Sequence, residues 1–438
     1  MKTRTIVEYL LAVIIVLILG GLAGWYFFLR TQTNTLNSQS VARGFGVSVP
    51  FGNADGGALN TPSPSSGTDW AQQNSPTNTG GGKRPPQLWQ VASGPVAGKM
   101  FLGSGDEVRL RYVERASGYV FEANPETGKV TRLTNTLMPK IYEAYLTENG
   151  HVFERSLDAV GNITTFVGTI STTTETSDPS SRALTGFNLT KNIVSMSVHP
   201  VSGALFYILR GSDGAIGVNA EWDGQKQKNI FGSVIMSWRP TTLEDGRIIL
   251  VQAAADGVPG FAYEVKKDGT MSPLLGPIPG LTLRVRSVPG GSALLWGLSD
   301  RGALSLFVQV SQNATPVRVP VRTTADKCAW APDLHRESTS DSKAQSSLEV
   351  SGKDLVAYCG VPQGQPGQNF LDEWYRGAAH SSDALWRIDA SAGTAEAVFT
   401  PPSDTSIDIE NIAVDGGRNY ITFTNAADKS LWLLRLEK

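Results

Sequence analysis

The feature that most constrains this chain is a unit that recurs from Leu88 to the C-terminus. Each copy has a branched run, a turn, a more hydrophobic second run, a third run often of aromatic-x-x-acidic character, and a closing run. Ser195-Met-Ser-Val precedes Ala204-Leu-Phe-Tyr-Ile-Leu, and Met236-Ser-Trp-Arg-Pro precedes Arg247-Ile-Ile-Leu-Val. Val285-Arg-Ser-Val precedes Ala293-Leu-Leu-Trp, and Cys328-Ala-Trp precedes Leu355-Val-Ala-Tyr-Cys. In the earlier copies, Tyr142-Glu-Ala-Tyr-Leu leads to His151-Val-Phe-Glu-Arg, and the turn Gly94-Pro-Val-Ala-Gly leads to Val108-Arg-Leu-Arg-Tyr. Units start near Ser93, Ile141, Ile193, Ile235, Leu281, Asp326 and Ile409. The clean intervals of about 42 to 46 residues are those of a four-stranded propeller blade. The wider ones hold insertions at Ser171–Thr190, Leu334–Ser347 and Pro362–Ser382. The fold class is therefore all-β, a seven-bladed β-propeller over 88–438.

The last unit is short by one run. Asn411-Ile-Ala-Val, Asn419-Tyr-Ile-Thr-Phe-Thr and Leu431-Trp-Leu-Leu-Arg-Leu are three β-type stretches, and then the chain stops. An unfinished sheet exposes a strand edge, and ring closure removes it. Leu88–Ala92 lies just before the first unit and is predicted to pair with Leu431–Leu436 as the fourth strand of the last blade.

Ile6–Leu29 is the one segment of membrane scale. Tyr9–Phe28 carries no charge over 20 residues, enough to cross a hydrocarbon core of roughly 30 Å. Lys2 and Arg4 precede it, and Trp25, Tyr26 and Arg30 close it. This predicts an anchor over 1–30 in the cytoplasmic membrane, N-terminus inside, with the bilayer as partner of residues 6–29. Its length exceeds a secretory h-region and no small-residue cleavage motif follows, which argues against a removed signal peptide. Residues 31–87 are dominated by Ser, Thr, Asn, Gly, Pro and Gln. They read as a flexible linker with a reach of roughly 40 Å. The propeller is then an extracytoplasmic domain on a tether.

Chemistry-bearing motifs are few. His151, His199, His335 and His380 are the only histidines and show no metal-ligand spacing. No G-x-S-x-G elbow and no phosphate-cradling loop occurs, and no cofactor or metal is called for. The net charge of −2 carries no electrostatic footprint for nucleic acid. Cys328 and Cys359 fall in the first two runs of one unit, at disulfide distance if those strands pair. In an extracytoplasmic domain with two cysteines, one bridge is expected. The insertion Gln363–Ser382 contains Phe370, Asp372, Trp374, Tyr375 and Arg376, residue types common in interface hot spots. It is the candidate binding loop. The alternative is structural, with Trp374 and Tyr375 capping the blade and Arg376 neutralising Asp372 or Glu373.

The turns His199-Pro-Val-Ser-Gly, Val288-Pro-Gly-Gly and Ala331-Pro-Asp resemble degenerate S-P-D-G turns of TolB-like propeller repeats. Val120–Leu133 and Leu385–Gly393 resemble their third strand and closing hairpin. The resemblance implies an interaction platform that binds protein or cell-envelope polymer. An envelope glycan hydrolase or lyase, with acids lining the channel, is the alternative. Separately, Thr5-Ile-Val-Glu-Tyr-Leu-Leu resembles the start of a type IV pilin helix, although Arg4 stands where the processing site needs a small residue. That resemblance implies a third reading, a surface-appendage assembly factor.

Overall fold

A computed structural model describes residues 84–170, 183–334 and 355–436. Among them are seven sheets, each of four antiparallel strands. Their first strands are Val96–Leu102, Glu143–Leu146, Ile193–Val198, Trp238–Thr242, Thr282–Val288, Cys328–Trp330 and Ile409–Val414, taken as blades 1 to 7. Successive first strands approach one another around the ring, as between blades 1 and 2, 3 and 4, and 6 and 7. The second strands are the most apolar. Val356–Pro362 and Tyr420–Asn425 are buried almost throughout, because second strands are covered by neighbouring blades on both faces.

The seam closes as the unfinished last unit requires. Leu88–Ala92 pairs antiparallel with Leu431–Arg435, in the register Leu88↔Leu434 to Ala92↔Leu431. Gln87 O accepts from Arg435 N at 2.8 Å. One core cluster then spans the seam, uniting Val91, Leu431 and Leu433 with Leu110 and Tyr112 of blade 1.

The predicted bridge is present. Cys328 and Cys359 are register partners joined by a disulfide, with Cα atoms 4.1 Å apart, in the core between blades 5 and 6.

Two local readings change. Gly94–Gly98 is not simply a turn, because Val96–Leu102 is the inner strand of blade 1. Gly98 belongs there for a steric reason. A Cβ on it would stand 2.0 Å from the Ala144 carbonyl of blade 2. The Pro362–Ser382 insertion holds a helix, α1 (Phe370–Arg376), rather than only loop. Its buried residues Phe370, Leu371, Trp374 and Tyr375 recur at helical spacing, and left-handed Gly377 stops it. The membrane-scale segment, the pilin-like stretch, the linker up to residue 83 and His335 lie outside the described residues. No described helix is long and apolar enough to cross a membrane.

Candidate functional site

In these antiparallel blades, the beginnings of first strands and the loops from second to third strands share one face of the ring. Helix α1 is such a loop in blade 6 and is anchored to three other blades. Phe370, Leu371, Trp374 and Tyr375 pack with Leu304 of blade 5 and Ala254 of blade 4. Asp372 accepts from the Asp256 backbone N–H at 2.9 Å.

Trp374, with no exposed surface, donates its indole N–H to Asp408 of blade 7 at 2.8 Å. Beneath it lies Lys327, also fully buried. Its Nζ reaches Asp408 at 2.5 Å, Asp383 at 2.6 Å and Ser381 Oγ at 2.9 Å. It sits 4.6 Å from the Trp374 ring centroid. Burial pushes the Asp383 carboxyl up, against the pull of Lys327. A buried ion cluster of this kind tolerates loss of one member badly, because the others are left without a partner.

Tyr375 is held by a second cluster. Its hydroxyl donates to Asp326, and Arg239 Nη1 donates to the same oxygen at 3.1 Å and to Asp326 at 3.0 Å. Burial raises the Tyr375 pKa strongly, so its proton stays on and the bond to Asp326 persists. Of the five residues of the candidate loop, Phe370, Trp374 and Tyr375 are buried, Asp372 is half-buried and Arg376 is exposed. Arg376 Nε donates to the Asp372 backbone carbonyl at 3.2 Å. His380 is 41 % exposed and meets Asp408 at 3.0 Å.

The channel itself contains a cavity of about 410 Å³, within the roughly 300–1,000 Å³ of small-ligand sites. Its walls are first strands of blades 1, 2, 5, 6 and 7, together with part of blade 4. Its lining combines apolar Trp330, Leu283, Val251 and Ile412 with polar Lys99, Arg115, Glu143, Tyr145, Arg284, Glu410 and Lys429.

The carboxylates there are engaged. Glu143 binds fully buried Arg155 and accepts from Tyr145 OH at 2.8 Å. Glu410 accepts from Lys429 at 2.5 Å and from Thr424 at 3.3 Å, although its Oε2 has no hydrogen-bond partner. Burial raises the Glu143 pKa, opposed by Arg155.

Lys99 is different. Its Nζ donates to the backbone carbonyl of Asn411, 312 residues away in sequence, and it forms no carboxylate ion pair among the described residues. Burial lowers its pKa to about 7, with Glu410 opposing. That carbonyl is available because blade 7 is bulged. Between Glu410↔Thr424 and Ala413↔Thr422 the register shifts, and Asn411 takes φ 50°. Asparagine tolerates this left-handed conformation better than most residues, and bulges re-aim groups beside functional sites. No sequence motif marks Lys99. The available signal is a lysine in a blade's first strand, four residues into Val96–Leu102.

No protein-family model and no curated protein matches the chain. Among solved structures, a streptogramin B lyase aligns over 80 % of this chain and 97 % of its own, at 10 % identity and a TM-score of 0.47. The β-propeller domain of Cps50 (Swd1) from Myceliophteria thermophila aligns over 80 % and 100 %, at 9 % identity and a TM-score of 0.48. A protein from Agrobacterium tumefaciens described as TolB aligns over 50 % and 79 %, at 10 % identity and a TM-score of 0.37. These are likenesses of propeller architecture, and no activity is carried over from them.

Proposed function

We propose that this chain is a membrane-tethered, extracytoplasmic binding propeller whose ligand, part of a protein or of a cell-envelope polymer, is received in the central channel. The observation that carries the reading is the 410 Å³ channel cavity, lined by both apolar and polar side chains. Such a combination fits ligand capture, the apolar part supplying area and the polar part orientation. Helix α1, fixed through Trp374 and Tyr375 to blades 4 to 7, covers one face of the ring and leaves Arg376 of the candidate loop exposed there. Acid–base cleavage of a glycan is less well supported. It needs two carboxyl groups free to act on the bond, and Glu143 and Glu410 are each held by a cation.

A photo-crosslinking amino acid at Ile412, which lines the cavity, tests the reading in cells producing the full chain. An adduct from position 412, and none from Val160, an outer residue 82 % exposed, is the expected result. Adducts from position 160 alone would overturn it.

A further inference from the structure

We propose that the channel recognises its ligand through a compact anionic group, a carboxylate or a phosphate, held by Lys99 and Arg115. This rests on the channel being the binding site. Both side chains line the cavity. Arg115 Nε donates to Val96 O at 3.0 Å, which holds its guanidinium beside the strand that carries Lys99. Neither cation forms a carboxylate ion pair among the described residues, whereas Lys429 in the same wall is paired with Glu410, and Glu143 is paired with fully buried Arg155 behind the wall. With Lys99 protonated, Lys99, Arg115, Arg155 and Lys429 against Glu143 and Glu410 carry two formal positive charges in excess. An ammonium and a planar guanidinium with unused donors form the donor set that carboxylates and phosphates accept from. The enclosed channel weakens screening and strengthens that attraction.

The wall also shows why the site waits for a ligand. A cation enclosed without a carboxylate in direct contact is disfavoured by desolvation, and burial has brought Lys99 to about 7. An arriving anion supplies the counter-charge and draws a proton back onto Nζ. The groups around Lys99 are Arg115, Tyr142, Glu143, Tyr145, Arg284, Glu410 and Lys429. Of these, Glu410 opposes burial, its charge favouring the protonated form of Lys99. A ligand whose own charge is constant near neutrality should bind more weakly as pH rises through 7, approaching tenfold per pH unit.

The test uses isothermal titration and thermal shift with sodium glucuronate, inorganic phosphate and neutral glucose as probes. At pH 6.5 at least one anion binds and glucose does not. Glucuronate alone identifies a carboxylate source, phosphate alone a phosphate source. Lys99→Met weakens the bound anion by at least tenfold, as expected for one lost charge-assisted contact, and flattens the pH dependence of glucuronate binding. Arg115→Gln, a second variant whose substituted residue lies outside the inner strand, also weakens binding. No anion binding, or binding unchanged in both folded variants, overturns the proposal. If position 412 still gives an adduct in that case, the anion is refuted while the channel stands as the binding site. If position 412 gives none, the failure lies with the channel reading itself.

Discussion

Replacing Glu154 by methionine should stabilise the domain, and the gain should grow with pH. Glu154 lies in the second strand of blade 2, opposite Ala144 on one side and Phe166 on the other. Directly opposed residues of antiparallel strands share a face, and Ala144 and Phe166 belong to the apolar core between blades 1 and 2. The Glu154 carboxyl is therefore aimed into that core. It is 1 % exposed, and neither of its oxygens has a hydrogen-bond partner. Burial raises its pKa from 4.5 to about 8.

The folded protein thus holds a proton that the unfolded chain releases above 4.5. Between pH 4.5 and 8 the native state binds more protons, so this residue's contribution to stability falls as pH rises. At 1.36 kcal/mol per pKa unit, the cost is about 3 kcal/mol at pH 7 and about 5 kcal/mol above pH 8. Methionine has nearly the same reach and no charge. At roughly 1.5 °C per kcal/mol for a domain of this size, Glu154→Met should raise Tm by about 5 °C at pH 7. It should do little at pH 4.5. Melting curves of both proteins from pH 4.5 to 8.5 measure this directly. A Tm difference independent of pH, or a loss at every pH, would refute the assignment of an unpartnered carboxyl in that interface.

Three other outcomes follow from the same architecture. Replacing Cys328 and Cys359 by serine and alanine opens a loop of 31 residues and should cost about 3 to 4 kcal/mol in chain entropy. Non-reducing mass mapping and the melting curve check this. Trp374→Ala should cost about 3 to 5 kcal/mol, because it empties the core under α1 and removes a hydrogen bond from Asp408; equilibrium denaturation measures it. Deleting residues 6–29 should move the protein from the membrane pellet to the soluble fraction on cell fractionation, and retention in the pellet would refute the anchor.

The ring was legible because its signals are local. Alternating branched residues, turn glycines and prolines mark each blade within about 45 residues, and the cysteine pairing follows from their places in one unit. The site was not legible for the opposite reason. Lys99 meets Asn411 only after the ring has closed across 312 residues, and the bulge that presents the carbonyl leaves no motif. Helix α1 was hidden by its setting. Its seven residues lie in a Gln-, Gly- and Pro-rich insertion, where Trp374 and Tyr375 read as contact residues or as packing. Gly94-Pro and Gly98 concealed the strand that carries Lys99, because the close approach of Ala144 and a tight turn both call for glycine.

The site's position on the seam makes ligand binding and ring closure one property. Lys99 and Arg115 belong to blade 1, whereas Glu410, Asn411 and Lys429 belong to blade 7. Val96 N donates to Lys429 O at 3.0 Å directly across the junction. Leu88–Ala92, which follows the proposed tether, is the outer strand of that blade 7 sheet. Removing it takes away Val91, which is almost fully buried, with half-buried Leu88 and Trp89, and uncovers Leu431 and Leu433 beneath them. At about 1.5–3 kcal/mol for each large apolar side chain fully buried, the loss is on the order of 5 kcal/mol, or roughly 7 °C in Tm. The same deletion lets blade 7 move against blade 1, so the Lys99–Asn411 contact and the anion site should weaken with it. Linkage requires the converse. A bound anion should slow amide exchange in Leu431–Arg435, although that strand does not line the cavity. Deletion of residues 88–92 that lowers Tm but leaves anion affinity unchanged would separate the two and refute the coupling.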